Sequence, residues 1–415
     1  MKKAFVSVVI ATLLCLCGCC ARYDSPVKST LSVDKVQNLP DDFWLGADVS
    51  SVVSLENSGV CFYGFDGKRT DLLKVLSDNG VNIVRVRLWV DPFDTNGNGY
   101  GGGNCNTDVA IAIAKRAKSA GLRLFVDFHY SDFWADPSKQ QCPKAWTVFS
   151  FEQKRQALAD YTLQTLQQIE QTGVSVAAVQ IGNEINGGLC GEKDWDKVCS
   201  LISVGAQAVR QFNRSVKVAV HFTDPQNKGN LDYFASVLSL HGVDYDVFAV
   251  SYYSYWHGTT QNLSATLGQI AQKYGKQVMV VETAHPFTDK DSDFFVNNVS
   301  ASQCIYQVSE QGQADSFRDV VESVNDVGGI GVFYWEPAWI SVGQTSYEQN
   351  KVKWQRYGSG WATSYASEYS SDAASYYGGG SWDNQALFDA TGNPLQSLKV
   401  FLMVRFGTKK TLINP

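Results

Sequence analysis

Basic residues do not dominate the sequence. Its 35 Lys and Arg stand against 41 Asp and Glu, for a net charge of −6, so it lacks the electrostatic footprint of a nucleic-acid-binding protein. The apolar stretch at its N-terminus, Ala4–Leu16, is too short to span a bilayer comfortably. The six cysteines that follow residue 20 (Cys61, Cys105, Cys142, Cys190, Cys199 and Cys304) show no Cys-x-x-Cys spacing and no neighbouring His, which argues against a zinc cluster. No strand-like run passes directly through a Gly-x-Gly-x-x-Gly turn into a helix, which disfavours a doubly wound nucleotide-binding sheet. There is no internal repeat and no sign of a second domain. With 44% hydrophobic and 18% charged residues, disorder is excluded as well.

What is present begins with a targeting segment. Lys2 and Lys3 precede the apolar stretch, and Leu16-Cys17-Gly18-Cys19 resembles a bacterial lipobox. This predicts a signal peptide over residues 1–18 and acylation of Cys19; an ordinary signal peptide or a lipobox ending at Cys20 are the alternatives. Residues 19–40 then read as a lipidated tether. The protein would sit on the cell envelope of a bacterium, at the outer membrane or cell surface, touching membrane only through its anchor. An exported protein meets oxidising conditions, so the six internal cysteines predict bridges. Cys190 and Cys199, close in sequence, are the expected pair, and all six are expected in loops after strands.

Short apolar runs alternate with helix-like segments along the chain. The runs are Phe43–Val49, Asn82–Trp89, Arg123–His129, Val176–Glu184, Val216–Phe222, Val247–Tyr253, Gln277–Glu282 and Ile330–Trp335. Between them lie amphipathic stretches such as Asp108–Ala120, Phe151–Thr172 and Trp195–Phe212, with apolar residues at helical spacing. Continuous β-branched runs suit strands buried on both faces. Eight of them with intervening helices predict an α/β fold: a single (β/α)8 TIM barrel with long βα loops over residues 41–407, followed by a tail at 408–415.

Two of the runs end in glutamate: Val176–Glu184 and Gln277–Glu282. Catalytic groups of a parallel barrel project from the C-terminal ends of its strands. Two carboxyl groups facing one cleft are what glycoside hydrolysis requires. Other strand ends are polar or aromatic: Asp48, then Asp127 to Asp132 with His129 among them, His221, Tyr252, Tyr253 and Trp335. Trp and Tyr faces stack on sugar rings while Asp, Asn and His bond hydroxyls. Arg85 and Arg87 share one side of their strand, so at least one is expected in the barrel mouth beside a carboxylate.

Several motifs resemble glycoside hydrolase family fifty-three, the arabinogalactan endo-β-1,4-galactanases. They are Phe43-Trp44-Leu45-Gly46-Ala47-Asp48-Val49-Ser50-Ser51, Arg85-Val86-Arg87-Leu88-Trp89, Asp127 to Pro137, Gln180-Ile181-Gly182-Asn183-Glu184, Gly331 to Trp339 and Ser381 to Asp389. The resemblance implies retaining hydrolysis of the β-1,4-galactan side chains of pectin with no cofactor required; the sequence does not give the oligomeric state, and a monomer is the default expectation. Glu184 would be the acid/base and Glu282 the nucleophile, with their carboxyls about 5–5.5 Å apart. Asn183 would bond the sugar 2-hydroxyl, Arg87 in preference to Arg85 would lie beneath the nucleophile and keep it ionised, and Trp335 would floor the subsite of the attacked sugar. His129, Asp132, Tyr253 and Trp339 would line the groove. Some bacterial members hold calcium in the loop after the seventh strand. Here Asp289, Asp291 and Asp293 alternate in that loop, as oxygen ligands for a structural calcium would; Lys290 intrudes and the glycines and late glutamate of an EF-hand are missing, so a solvated acidic loop is the alternative. A mannanase or cellulase of the same clan would share both glutamates, and a glycan-binding lipoprotein without turnover is the non-enzymatic rival.

Overall fold

A computed structural model of the chain describes residues 25–343, 346–373 and 378–410. The expected signal peptide at 1–18, the acylation at Cys19 and residues 411–415 of the expected tail lie outside the described residues. Eight parallel strands close into one barrel: β2 (Trp44–Asp48), β3 (Ile83–Leu88), β4 (Arg123–Phe128), β5 (Val176–Ile181), β6 (Lys217–Phe222), β7 (Val247–Ser251), β8 (Gln277–Thr283) and β9 (Gly331–Tyr334). The expected (β/α)8 barrel is the fold: seven of the expected runs contain their strand, and β8 extends one residue past its run, to Thr283. The helices between them are α1 (Val52–Asn57) and α2 (Leu72–Asp78), then α3 (Thr107–Ser119), α4 (Phe151–Glu170), α5 (Trp195–Phe212), α6 (Asn230–Leu240), α7 (Thr260–Tyr274) and α8 (Glu310–Asn325). After β9 come α9 (Tyr347–Tyr357) and α10 (Val400–Phe406). Among the described residues no helix is long and apolar enough to cross a membrane.

Alternation along the strands sorts side chains into two cores. Trp44, Ile83, Phe125, Ala178, Ala219, Val247, Met279 and Phe333 fill the barrel's interior, while their neighbours pack outward against the helices. Helix starts follow the sequence closely. Asp71, Asn106, Ser150, Asp194, Thr259 and Ser309 each accept a backbone N–H at an N-terminus, which satisfies donors the helix itself cannot.

The expected tether is corrected over residues 25–40. β1 (Val27–Ser29) pairs in parallel with β10 (Thr408–Lys410), and Val27, Leu31, Val33 and Val36 are buried. The segment runs along α8: Ser32 N–H donates to Gln311, Arg318 to the Asp34 carbonyl and Asn325 to the Gln37 carbonyl. These four apolar residues are spaced two to four apart with polar residues between them, which hides the pattern. Residues 408–410, read as tail, are its partner strand.

The expected Cys190–Cys199 pair and the placement of all six cysteines in loops are corrected. Among the described residues all six are free thiols. Cys199 lies on α5, not in a loop, and is buried there. The sulfur facing Cys190 belongs to Cys142, at 4.0 Å.

Candidate active site

The C-terminal ends of the strands open into a cleft. Glu184 and Glu282 both line it, together with Asp48, Asn183, Arg85 and Tyr253.

Glu282 reaches the cleft through an irregularity of β8. Met279 and Val281 point into the barrel and Val280 points out, so simple alternation would turn Glu282 outward. The register slips beside it. β8 advances from Val280 to Thr283 while β9 advances from Val332 to Tyr334, and β7 shifts between Val250 and Ser251. One extra residue reverses the phase of the strand end, and Glu282 turns inward. Glu184 is delivered differently. After Ile181 the chain turns through Gly182 at φ +84° and reaches Glu184 at φ +43°. A Cβ at Gly182 would meet Ile185 at 2.4 Å. A glutamate in the left-handed region is strained by about 1–3 kcal/mol.

Arg85 lies at the bottom of the cleft. Its Nη1 contacts Glu282 Oε1 at 2.9 Å and Asp48 Oδ2 at 3.0 Å. Its Nη2 contacts Asp127 Oδ2 at 2.8 Å and donates to Asn183 Oδ1 at 3.0 Å and Gln180 Oε1 at 3.1 Å. Tyr253 donates its hydroxyl to Glu282 Oε2 at 3.1 Å. This corrects the expectation for Arg87. Two residues nearer the rim, Arg87 pairs with Glu336 and sits 4.4 Å below the ring of Trp134. Alternation puts both arginines on one side of β3 but does not give their depth.

The two glutamates differ in their surroundings. Burial, then repulsion from Glu282, pushes Glu184 up to about 8, against weaker hydrogen bonds from Ser251 and Thr223. Burial raises Glu282 too, but the Arg85 guanidinium opposes it. Of the pair, Glu282 has the cation and Glu184 has none, so a single negative charge rests on Glu282. His221 is held neutral, far below the usual His range, by burial and by Arg85. Its Nδ1 lies 3.0 Å from Asn183 Oδ1 and its Nε2 2.9 Å from Ser251 Oγ. Glu336 is buried beneath the aromatic wall and raised to about 7, burial outweighing Arg87.

The other expected residues divide. Asp48, His129 and Trp335 line the cleft. His129 Nδ1 accepts from Trp89 and from the Ala135 amide, which leaves Nε2 to donate to Asp127 at 3.1 Å. Asp132 does not reach the cleft: it accepts the amides of Asp91 at 2.9 Å and Lys144 at 2.7 Å, fastening two loops. Trp339 is buried behind the wall, stacked on Trp361 at 5.3 Å. It is Trp361, with Trp134, Trp256 and Trp382, that faces the cavity beside Trp335. Trp256 follows the aromatic run from Tyr252 and could have been found there; Trp361 sits in an irregular loop without a local signal.

The acidic loop is corrected as well. Asp291, Asp293 and Asp383 bring carboxylate oxygens within 4.8 Å of one another, whereas exposed Asp289 lies outside the group. Asp383 comes from the loop after β9, too distant in sequence to be read with the others. Its Oδ1 is buried without a partner. Burial and mutual repulsion raise Asp293 to about 6 and Asp383 to about 7. An oxygen-rich set with an orphaned carboxylate oxygen fits a hard divalent cation such as calcium.

A closed parallel barrel with two carboxyls of contrasting environment in an aromatic-walled cleft defines a glycoside hydrolase of the two-carboxylate type. The family model of glycosyl hydrolase family 53 matches residues 44–401, and the chain belongs to that family. It is 53% identical to the Bacillus subtilis (strain 168) protein named endo-beta-1,4-galactanase, over 91% of this chain and 89% of that one. It is 32% identical to the arabinogalactan endo-beta-1,4-galactanase of Cellvibrio japonicus, over 84% and 87%. Among solved structures it resembles the GH53 catalytic domain of Ignisphaera aggregans, with TM-score 0.81 and 35% identity over 90% of this chain and 99% of that one.

Proposed function

We propose that the protein is a retaining endo-β-1,4-galactanase acting on the β-1,4-galactan side chains of pectin. The observation that carries this reading is its 53% identity to the Bacillus subtilis endo-beta-1,4-galactanase over nearly the whole chain. Glu184 and Glu282 in one cleft supply the chemistry. The Glu282 carboxylate attacks the anomeric carbon while the Glu184 carboxyl protonates the departing oxygen, giving a glycosyl ester on Glu282. Glu184, now ionised, takes a proton from water, which attacks the same carbon and restores both groups. Arg85 keeps Glu282 ionised, Asn183 bonds the sugar beside the cut linkage, and Trp335 stacks beneath it. Digestion of a polysaccharide panel tests the substrate. Galacto-oligosaccharides released first as the β-anomer are expected; release of only mannan or cellulose fragments, or first appearance of the α-anomer, would overturn it. Binding of galactan with no turnover would favour a glycan-binding lipoprotein.

The chain works as a monomer without a catalytic cofactor, and a calcium ion held by Asp291, Asp293 and Asp383 fixes the rim of the cleft. It is exported and acylated at Cys19, a reading supported by Lys2, Lys3 and the lipobox-like sequence. Labelled fatty acid should enter the intact protein and not the Cys19→Ala variant. Equal labelling of both would end the lipoprotein reading.

A further inference from the structure

Two thiols face each other behind Glu184. Cys142 lies in the loop between β4 and α4, partly exposed, and Cys190 lies buried in the loop between β5 and α5, with the sulfurs 4.0 Å apart. The loops around them are already joined. The Gly191 amide donates to the Gln140 carbonyl at 2.6 Å. Gln140 Nε2 donates to the carbonyls of Asp136 at 2.9 Å, Asn183 at 2.8 Å and Glu184 at 3.2 Å. A Cβ at Gly191 would stand 3.0 Å from the Cβ of Cys142. Glycine is thus what lets the backbone carrying Cys190 pass this close to its partner.

We propose that Cys142 and Cys190 form a disulfide that locks the loop carrying Glu184 to the loop after β4. The sulfurs stand 4.0 Å apart, and rotation about the two Cα–Cβ bonds is the motion that would bring them toward bonding distance. The bridge would close a stretch of chain that includes all of α4 and β5. It would also hold a segment in which Gly182, Glu184, Cys190 and Gly191 all take positive φ, a conformation that relaxes if the loop is released.

The chemistry needs an oxidant, here a disulfide compound such as oxidised glutathione or a thiol–disulfide oxidoreductase. Cys142, the more accessible thiol, loses its proton and attacks the oxidant's disulfide. This forms a mixed disulfide and expels one thiolate. Cys190 then loses its proton and attacks the Cys142 sulfur, expelling the second thiolate. The protein gives up two electrons and two protons, and the oxidant is reduced to two thiols. The hydrogen bond from Cys190 favours the attacking thiolate at Cys142, and Lys154, ion-paired with Glu192 at 2.6 Å, adds positive charge beside both sulfurs.

In the cell the bridge rests on the export proposed above; in the test tube it does not. The purified full chain is incubated with oxidised glutathione, digested without reduction and mapped by mass spectrometry. A dithiothreitol-sensitive peptide pair joining Cys142 to Cys190 is expected, unaltered in Cys199→Ser. Reduction should lower Tm by about 3–5 °C and should not lower that of the Cys142→Ser/Cys190→Ser variant. Recovery of both cysteines as separate alkylated peptides after oxidation, or of Cys190 joined to Cys199, would overturn the proposal. If the double variant does not fold, the peptide map of the unsubstituted chain decides alone. A pair that oxidises in vitro yet is isolated reduced from the cell would support the bridge and count against export.

Discussion

Arg85 serves five acceptors through two terminal nitrogens, and three of them are buried carboxylates. Removing it leaves like charges facing one another in a low-dielectric site. Arg85→Ala should therefore destabilise the protein by about 3–5 kcal/mol, measured by denaturant unfolding. Arg85→Lys keeps the charge but not the fork, and should lower kcat by roughly a hundredfold. Glu184 sets the alkaline side of the pH profile. It must be protonated to give up its proton, so kcat/KM should fall as pH rises through about 8, and Glu184→Gln should abolish that limb along with most of the activity. An unchanged alkaline limb in Glu184→Gln would remove it as the acid. At this scale the sequence was readable wherever a charged residue interrupts an apolar run, as at Glu184, Glu282 and Asp48. It was unreadable for Arg85 against Arg87, because both face the same way and differ only in depth.

The strand ends, more than the strands, position the chemistry. β8 needs its extra residue to turn Glu282 inward, and the chain after β5 needs Gly182 to reach the left-handed turn at Glu184. Gly182→Ala combines a positive φ with a clash on Ile185. It should cost about 1–3 kcal/mol in stability and lower kcat more than KM is altered, since Asn183 and Glu184 shift together. Kinetics on galactan beside a thermal melt would check it. Strands and helices were legible because short continuous apolar runs differ from stretches with apolar residues at a spacing of about 3.6. The bulge was not, since one additional residue leaves no mark in an apolar run. Cys199 shows the same limit: nearness to Cys190 in sequence is cancelled by its place on the inner face of α5. The long loop after β9 hid α9, whose mixed polar sequence gives little amphipathic signal.

For the molecule as a whole, stability depends on two contacts that bridge distant parts of the sequence. Asp291 and Asp293 meet Asp383 across two loops at the rim, so a chelator should lower Tm by several degrees, and Asp383→Asn should lower it similarly while abolishing any response to calcium. Equal melting with and without chelator would remove the metal. The strap of residues 25–40 is the other contact. Deleting it removes the burial of Val27, Leu31, Val33 and Val36 and should lower Tm. The barrel itself was legible from eight evenly alternating runs; the strap was not, because its partners, α8 and β10, lie at the far end of the chain. That separation also governs when the molecule can fold. As a ribosome emits the chain, the leading segment has nothing to dock on until the trailing one emerges, and β2 likewise waits for β9. Closing the barrel and pairing the strap's strand are therefore late events of folding, set by residues made near the end of synthesis.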